Sequence, residues 1–197
     1  MLFRSKKVGI WPGSTQEVFI FERLKMEGLS VKDITPVRVP FGEMHAMLTR
    51  GDIDAYVGAE PGPALSITSG AGQLVEYPYS TPMGGLNMIF GTHEETAAKN
   101  PDLVKSMLKI QRQSAEFMTA NTPAVVDATV QKLGANRAAV EQALAAKNVE
   151  YVWKLDDKVQ AQAKTYAQHM LDLKQIRALP KFETFLNPKF SNEIANS

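Results

Sequence analysis

Between Val8 and Pro61, short apolar runs alternate with helix-period stretches, and this alternation constrains the fold more than any other property of the chain. Val8, Gly9, Ile10 and Trp11 read as a strand, Pro12-Gly13-Ser14-Thr15 as a tight turn, and Val18, Phe21 and Leu24 then recur at helical spacing. Further short runs stand at residues 35–39, 55–58, 73–77 and 86–90, with Gly28, Gly51 and Gly70 at the joints. Such a pattern predicts an α/β unit with a mainly parallel sheet. From Pro101 onward the texture becomes almost entirely helical. Leu103, Met107, Ile110, Ser114 and Phe117 follow three- and four-residue steps, and Pro123 opens a second helix that stops at Gly134. Further helices are predicted from about Asn136 to Lys147 and from Asp156 to about Ile176. The tail from Leu179, with Pro180 and Pro188, reads as loosely packed.

Composition narrows the chemistry by exclusion. The 197 residues suffice for one sizeable core or two small ones, and 44% hydrophobic with 22% charged residues is ordinary globular usage. With 22 basic against 21 acidic side chains, a net charge of +1 and no long run of one sign, the footprint of a nucleic-acid binder is missing. Zero cysteines exclude thiolate metal sites, disulfides and cysteine nucleophiles. His45, His93 and His169 are widely separated and lack metal-ligand spacing, so neither a metal site nor a cofactor is predicted. Serine-hydrolase, Walker and dinucleotide-binding motifs are absent. The chain contains no apolar run of membrane-spanning length, and as written it carries no signal peptide at Met1.

The candidate site lies at the predicted strand ends. A helix's first amides lack intrahelical partners and carry partial positive charge, so the turn after the first strand suits an anion. Gly13 would keep a Cβ out of the way, while Ser14 and Thr15 would add hydroxyl donors. The same residues also suit a helix cap, with Ser or Thr as the usual N-cap. Glu60-Pro61 follows the run ending at Gly58, at the sheet edge where ligands bind in open α/β folds. Glu60 could accept a hydrogen bond from a ligand or serve as a plain loop acid. Asp52 and Asp54 read as a solvated turn, His45 as a surface or packing residue, and Met44 and Met47 as core. Between two predicted strands, Tyr77 to Gly85 mixes aromatics, hydroxyls, prolines and glycines, which suits either a connector or a hinge with a ligand-facing wall.

Taken in order, Lys6-Lys7-Val8-Gly9-Ile10, Pro12-Gly13-Ser14-Thr15, Leu24 to Leu29, Asp33-Ile34, Gly51-Asp52-Ile53-Asp54-Ala55, Glu60-Pro61 and Asn100 to Lys105 form a recognisable set. They resemble the solute-binding proteins of ABC importers, in particular the nitrate/sulfonate/taurine type. The likeness spans about Lys6 to Leu133. It implies a type II periplasmic-binding-protein-like fold, in which two α/β lobes close like a hinge on a small ligand. Residues 1–85 would be the second lobe, and residues 86–197 a crossover strand plus helices belonging to an incomplete first lobe. A complete relative carries its first lobe's opening strands and a secretion signal ahead of this point, which marks the chain as a fragment or a shortened form.

The resemblance implies a non-enzymatic, periplasmic or otherwise extracytoplasmic protein that captures a small anionic solute, such as a sulfonate, nitrate or carboxylate, and delivers it to an ABC permease and ATPase. Gly13, Ser14 and Thr15 would hold the anionic group, Glu60 a polar group or its own loop, and Tyr79, Ser80 and Thr81 would line the hinge side. Two alternatives stand beside this. One is a truncated remnant that folds or oligomerises without ligand; the other is an enzyme on the same fold, of the desulfinase or pyrimidine-biosynthesis kind. A helical half without its sheet is expected to expose apolar surface, and so to form a homodimer through its helices.

Overall fold

A computed structural model describes residues 4–77, 84–146 and 149–195. Its first element, β1 (Lys7–Ile10), runs parallel to both β2 (Thr35–Arg38) and β3 (Ala55–Tyr56), giving the strand order β2-β1-β3. Three of the four residues of β1 are buried, as a central strand covered on both faces requires. Val8 and Ile10 turn to one face, where they meet Ile20 and Leu24 of α1 (Thr15–Met26) and Ile34. On the other face Val39 and Ile53 close around Met44 of α2 (Phe41–Arg50), whose side chain is wholly buried. Gly9 permits that approach: a Cβ there would stand 2.9 Å from Ile53 Cδ1. Helix α2 stops where Gly51 takes the left-handed conformation at φ 78°.

The remaining elements are helices: α3 (Gly62–Thr68), α4 (Glu94–Lys99), α5 (Pro101–Ala120), α6 (Thr122–Leu133), α7 (Arg137–Ala145), α8 (Asp157–Asp172), α9 (Phe182–Phe185) and α10 (Lys189–Ala195). Two of them fasten the helical part to the sheet. Small residues, Ala64 on α3 against Ala139 and Ala143 on α7, bring those helices close. On the other side Val18 of α1 packs with Tyr166 of α8, flanked by Leu86 and Met170, and His169 Nδ1 lies 3.2 Å from Glu22 Oε2.

Two expectations are corrected, and a third is met. The runs at 73–77 and 86–90 are not strands among the described residues. Glu76 is held by Arg23 on α1, Leu86 sits in the α1–α8 cluster and Asn87 bonds Thr15, so side-chain ties draw both segments along α1 and away from the sheet. The tail is not loose: Phe190 and Ile194 are buried, α10 lies on α5, Lys105 Nζ is 3.0 Å from Glu193, and Arg112 donates to the Ile194 carbonyl at 2.8 Å. Lastly, the α5 stripe of Leu103, Met107, Ile110 and Phe117 is exposed, whereas Val104 and Ala115, on another side of the helix, are buried. The apolar surface expected of the helical half is therefore there.

Candidate functional site

Parallel pairing sends the carboxyl ends of β1, β2 and β3 to one edge, where Arg38 ends β2 and Trp11 and the Val57 to Glu60 loop follow their strands. At the end of β1 the turn predicted as an anion cradle is largely self-satisfied. Ser14 is the N-cap of α1: its Oγ accepts from the Glu17 amide at 3.1 Å and donates to the Trp11 carbonyl at 2.6 Å. Gly13, at φ 80°, sends its amide to Glu17 Oε2 at 2.8 Å. The cap reading accounts for these two residues, and Glu17 supplies from within the chain the negative charge that a helix N-terminus favours. The Thr15 hydroxyl lies 2.8 Å from Asn87 Oδ1. Of the first-turn amides, those of Thr15 and Gln16 keep no intrahelical partner.

Glu60 fixes its own loop. It precedes a cis peptide to Pro61, and its Oε2 accepts from the Ala64 amide at 3.1 Å, capping α3. Beneath it runs a polar chain: Tyr56 OH is 2.6 Å from Ser66 Oγ, which is 3.0 Å from His45 Nδ1. Ser66 is almost wholly buried, so this chain is internal support for the edge. Burial holds the Tyr56 phenol above its ordinary range, opposed by the Ser66 hydrogen bond and reinforced by the Glu60 charge. Asp52 and Asp54 are surface-exposed residues at the start of β3: Asp52 pairs with Arg50 at 2.8 Å, and Asp54 accepts from the Lys7 amide at 2.8 Å. Both lie at the sheet's opposite edge.

Arg38 is the site residue that the sequence reading passed over. Its guanidinium carbon sits 4.9 Å from the centroid of the Trp11 ring, and among the described residues it forms no ion pair. An exposed arginine stacked on indole, with no carboxylate to neutralise it, is a ready anion partner at this edge. The signal was available, since Arg38 is the penultimate residue of the run at 35–39. Asn87 could not have been found, because no local pattern places it beside Thr15. Tyr79, Ser80 and Thr81 lie outside the described residues. A cavity of about 70 Å³ between α1 and α8 and a shallow groove of about 350 Å³ beside Tyr151 and Trp153 both lie away from the turn and from Glu60. Among the described residues no three His, Asp or Glu side chains gather as a metal-holding group, and no helix is long and apolar enough to cross a membrane.

Residues 4–134, which include the whole of this edge, match the NMT1-like family. The chain belongs to the NMT1-like family. Solved structures agree on the fold of this NMT1-like chain. The alkanesulfonate-binding protein SsuA from Xanthomonas axonopodis pv. citri, bound to MOPS, matches at 21% identity and TM-score 0.74, over 93% of this chain and 62% of that one. A putative periplasmic sulfonate-binding protein SsuA from Methylobacillus flagellatus KT matches at 17% identity and TM-score 0.82, over 98% of this chain and 60% of that one. The desulfurization enzyme DSZB, as a cysteine-to-serine mutant in complex with biphenyl-2-sulfinic acid, matches at 15% identity and TM-score 0.69, over 98% of this chain and 71% of that one. The architecture of the NMT1-like chain is thus periplasmic-binding-protein-like, and it spans about three fifths of the length of the sulfonate-binding structures it matches. No curated protein matches it.

Proposed function

We propose that this chain is part of the solute-binding component of an ABC-type importer and that its ligand is a small oxyanion or acid, such as a sulfonate, nitrate or carboxylate. The observation that carries the reading is Arg38, an unneutralised cation stacked on Trp11 at the sheet's carboxyl edge, the edge from which the turn leading into α1 also leaves. Arg38 supplies the charge, the Thr15 and Gln16 amides supply directional donors, and Glu60 with the Tyr56–Ser66–His45 chain holds the loop behind them. Residues 1–85 serve as one lobe of a two-lobe binder, and the segment of Tyr79, Ser80 and Thr81 as the hinge side. Family membership and the sulfonate-binding neighbours support this reading, together with an extracytoplasmic location and delivery to a permease and ATPase.

The desulfurization enzyme shares the fold, but a desulfinase mechanism calls for a nucleophile such as cysteine, and this chain has none. Calorimetric titration of nitrate, an alkanesulfonate, a carboxylate and biphenyl-2-sulfinic acid, against the wild type and Arg38→Ala, tests the proposal. One saturable isotherm is expected, weakened by about tenfold or more in the variant, the range of one charge-assisted contact. Silence toward every anion, or unaltered affinity in Arg38→Ala, overturns it.

A further inference from the structure

Ser66 has one hydroxyl proton to give and two neighbours able to take it. Its Oγ lies 2.6 Å from Tyr56 OH and 3.0 Å from His45 Nδ1, and among the described residues the hydroxyl makes no other hydrogen bond. Nearby Thr68 and Ser69 donate to the Ala64 and Ser66 carbonyls, whereas Ser66 has no such outlet. At 4% exposure it is also withdrawn from water. The hydroxyl therefore has two settings. It donates to Nδ1 and accepts from the phenol, or it accepts from Nδ1 and donates to the phenol oxygen.

Charge on His45 decides between them. A neutral imidazole with its hydrogen on Nε2 accepts at Nδ1, but an imidazolium carries hydrogen on both nitrogens and only donates. The groups around the chain leave that decision to His45. Helix α3, which packs on α2, carries no charged residue, and β3 presents the Tyr56 phenol, on which the charge of Glu60 in the following loop acts. On α2 itself Glu43 is exposed and Arg50 pairs with Asp52; on α7, the other helix against α3, Arg137 pairs with Asp127 and Glu141.

We propose that Ser66 is a two-position switch thrown by protonation of His45. A proton on Nδ1 turns the Ser66 hydroxyl toward Tyr56, and the phenol proton, displaced from Ser66, turns toward the Glu60 loop. A charge taken up on α2 is thus delivered, through α3, as a reversed hydrogen-bond direction at the sheet's carboxyl edge. Tight burial of the middle link makes the response two-state rather than graded. The inference goes beyond solute capture and does not depend on it.

Ultraviolet resonance Raman reads the direction, because the intensity ratio of the tyrosine doublet differs between a phenol that donates and one that accepts. The chain has five tyrosines, so subtracting the Tyr56→Phe spectrum isolates the one in question. Between about pH 8 and about pH 5.5, a span that crosses the ordinary imidazole range and stays above the ordinary carboxylate range, the Tyr56 signal should pass from donor to acceptor. Its midpoint should coincide with that of the His45 ring nitrogens followed by nitrogen-15 NMR, which at the upper pH should show the hydrogen on Nε2. His45→Gln, a substitution well tolerated by a helix, removes the titration and should hold the Tyr56 signal constant. A Tyr56 signal that does not change in the wild type overturns the proposal. So does the same change in His45→Gln, a midpoint that departs from that of His45, or a His45 hydrogen on Nδ1 at about pH 8.

Discussion

Ser66 offers the sharpest test of the support beneath the candidate site. Its hydroxyl is the middle link between Tyr56 OH at 2.6 Å and His45 Nδ1 at 3.0 Å, and Ser66 is only 4% exposed. With neutral His45 the chain is satisfied when Tyr56 donates to Ser66 and Ser66 donates to Nδ1. Ser66→Ala removes both bonds at once and leaves the half-buried phenol and the imidazole nitrogen without their partner. Each net hydrogen bond contributes about 1 kcal/mol, and stranding buried groups raises the cost, so a loss of about 2 to 3 kcal/mol is expected. For a chain of this size that lowers Tm by about 4 to 12 °C. Tyr56→Phe should cost only about 1 kcal/mol, because Ser66 keeps His45. The double variant should then be less damaging than the two singles added together, by about 1 kcal/mol, since the second change removes a group the first had stranded. Urea melts of the four proteins measure this cycle. Strict additivity, or a Ser66→Ala loss under about 0.5 kcal/mol, would refute the linked chain.

Gly9→Ala should destabilise by about 1 to 3 kcal/mol, because its Cβ would enter 2.9 Å from Ile53 Cδ1 and 3.1 Å from Tyr56 Cβ; a chemical melt measures it. Ser14→Ala should cost about 1 kcal/mol through loss of the α1 cap, read as a Tm fall of about 2 to 4 °C. Tyr56 should also shape the alkaline limb of stability. Burial raises its folded pKa above the ordinary phenol range, so the unfolded chain gives up that proton first. The contribution of the neutral phenol is therefore intact below about pH 10 and declines as pH climbs toward the folded value, and Tyr56→Phe should flatten that part of a pH series of melts.

The sheet and its first helices were legible because their signals are local. A β-run, a Gly-Ser-Thr turn and a helical period in that order gave β1, the cap and α1, and Gly51 gave the end of α2. The runs at 73–77 and 86–90 look the same locally, yet their fate is decided by Arg23 and Thr15, more than fifty residues away. Strand formation needs a neighbour to complete the ladder, and no window of sequence contains that neighbour. The candidate site divides likewise. Gly13, Ser14 and Glu60 were placed correctly on the edge, but whether their polar atoms are spent inside the protein depends on Glu17 and Ala64, which only coordinates reveal. The α5 stripe was read as an apolar face, and periodicity cannot say what stands opposite.

Glu17 joins two distant parts of the molecule through one carboxylate oxygen. The oxygen that takes the Gly13 amide also takes the side-chain amide of Gln175, 158 residues further on. An anion that claimed the Gly13 amide would turn that oxygen away from the turn, and the hold on Gln175 would change with it. If an anion does bind at the turn, its occupancy and the seating of the segment after α8 are expected to be linked through this one oxygen, and each should be sensitive to a change in the other.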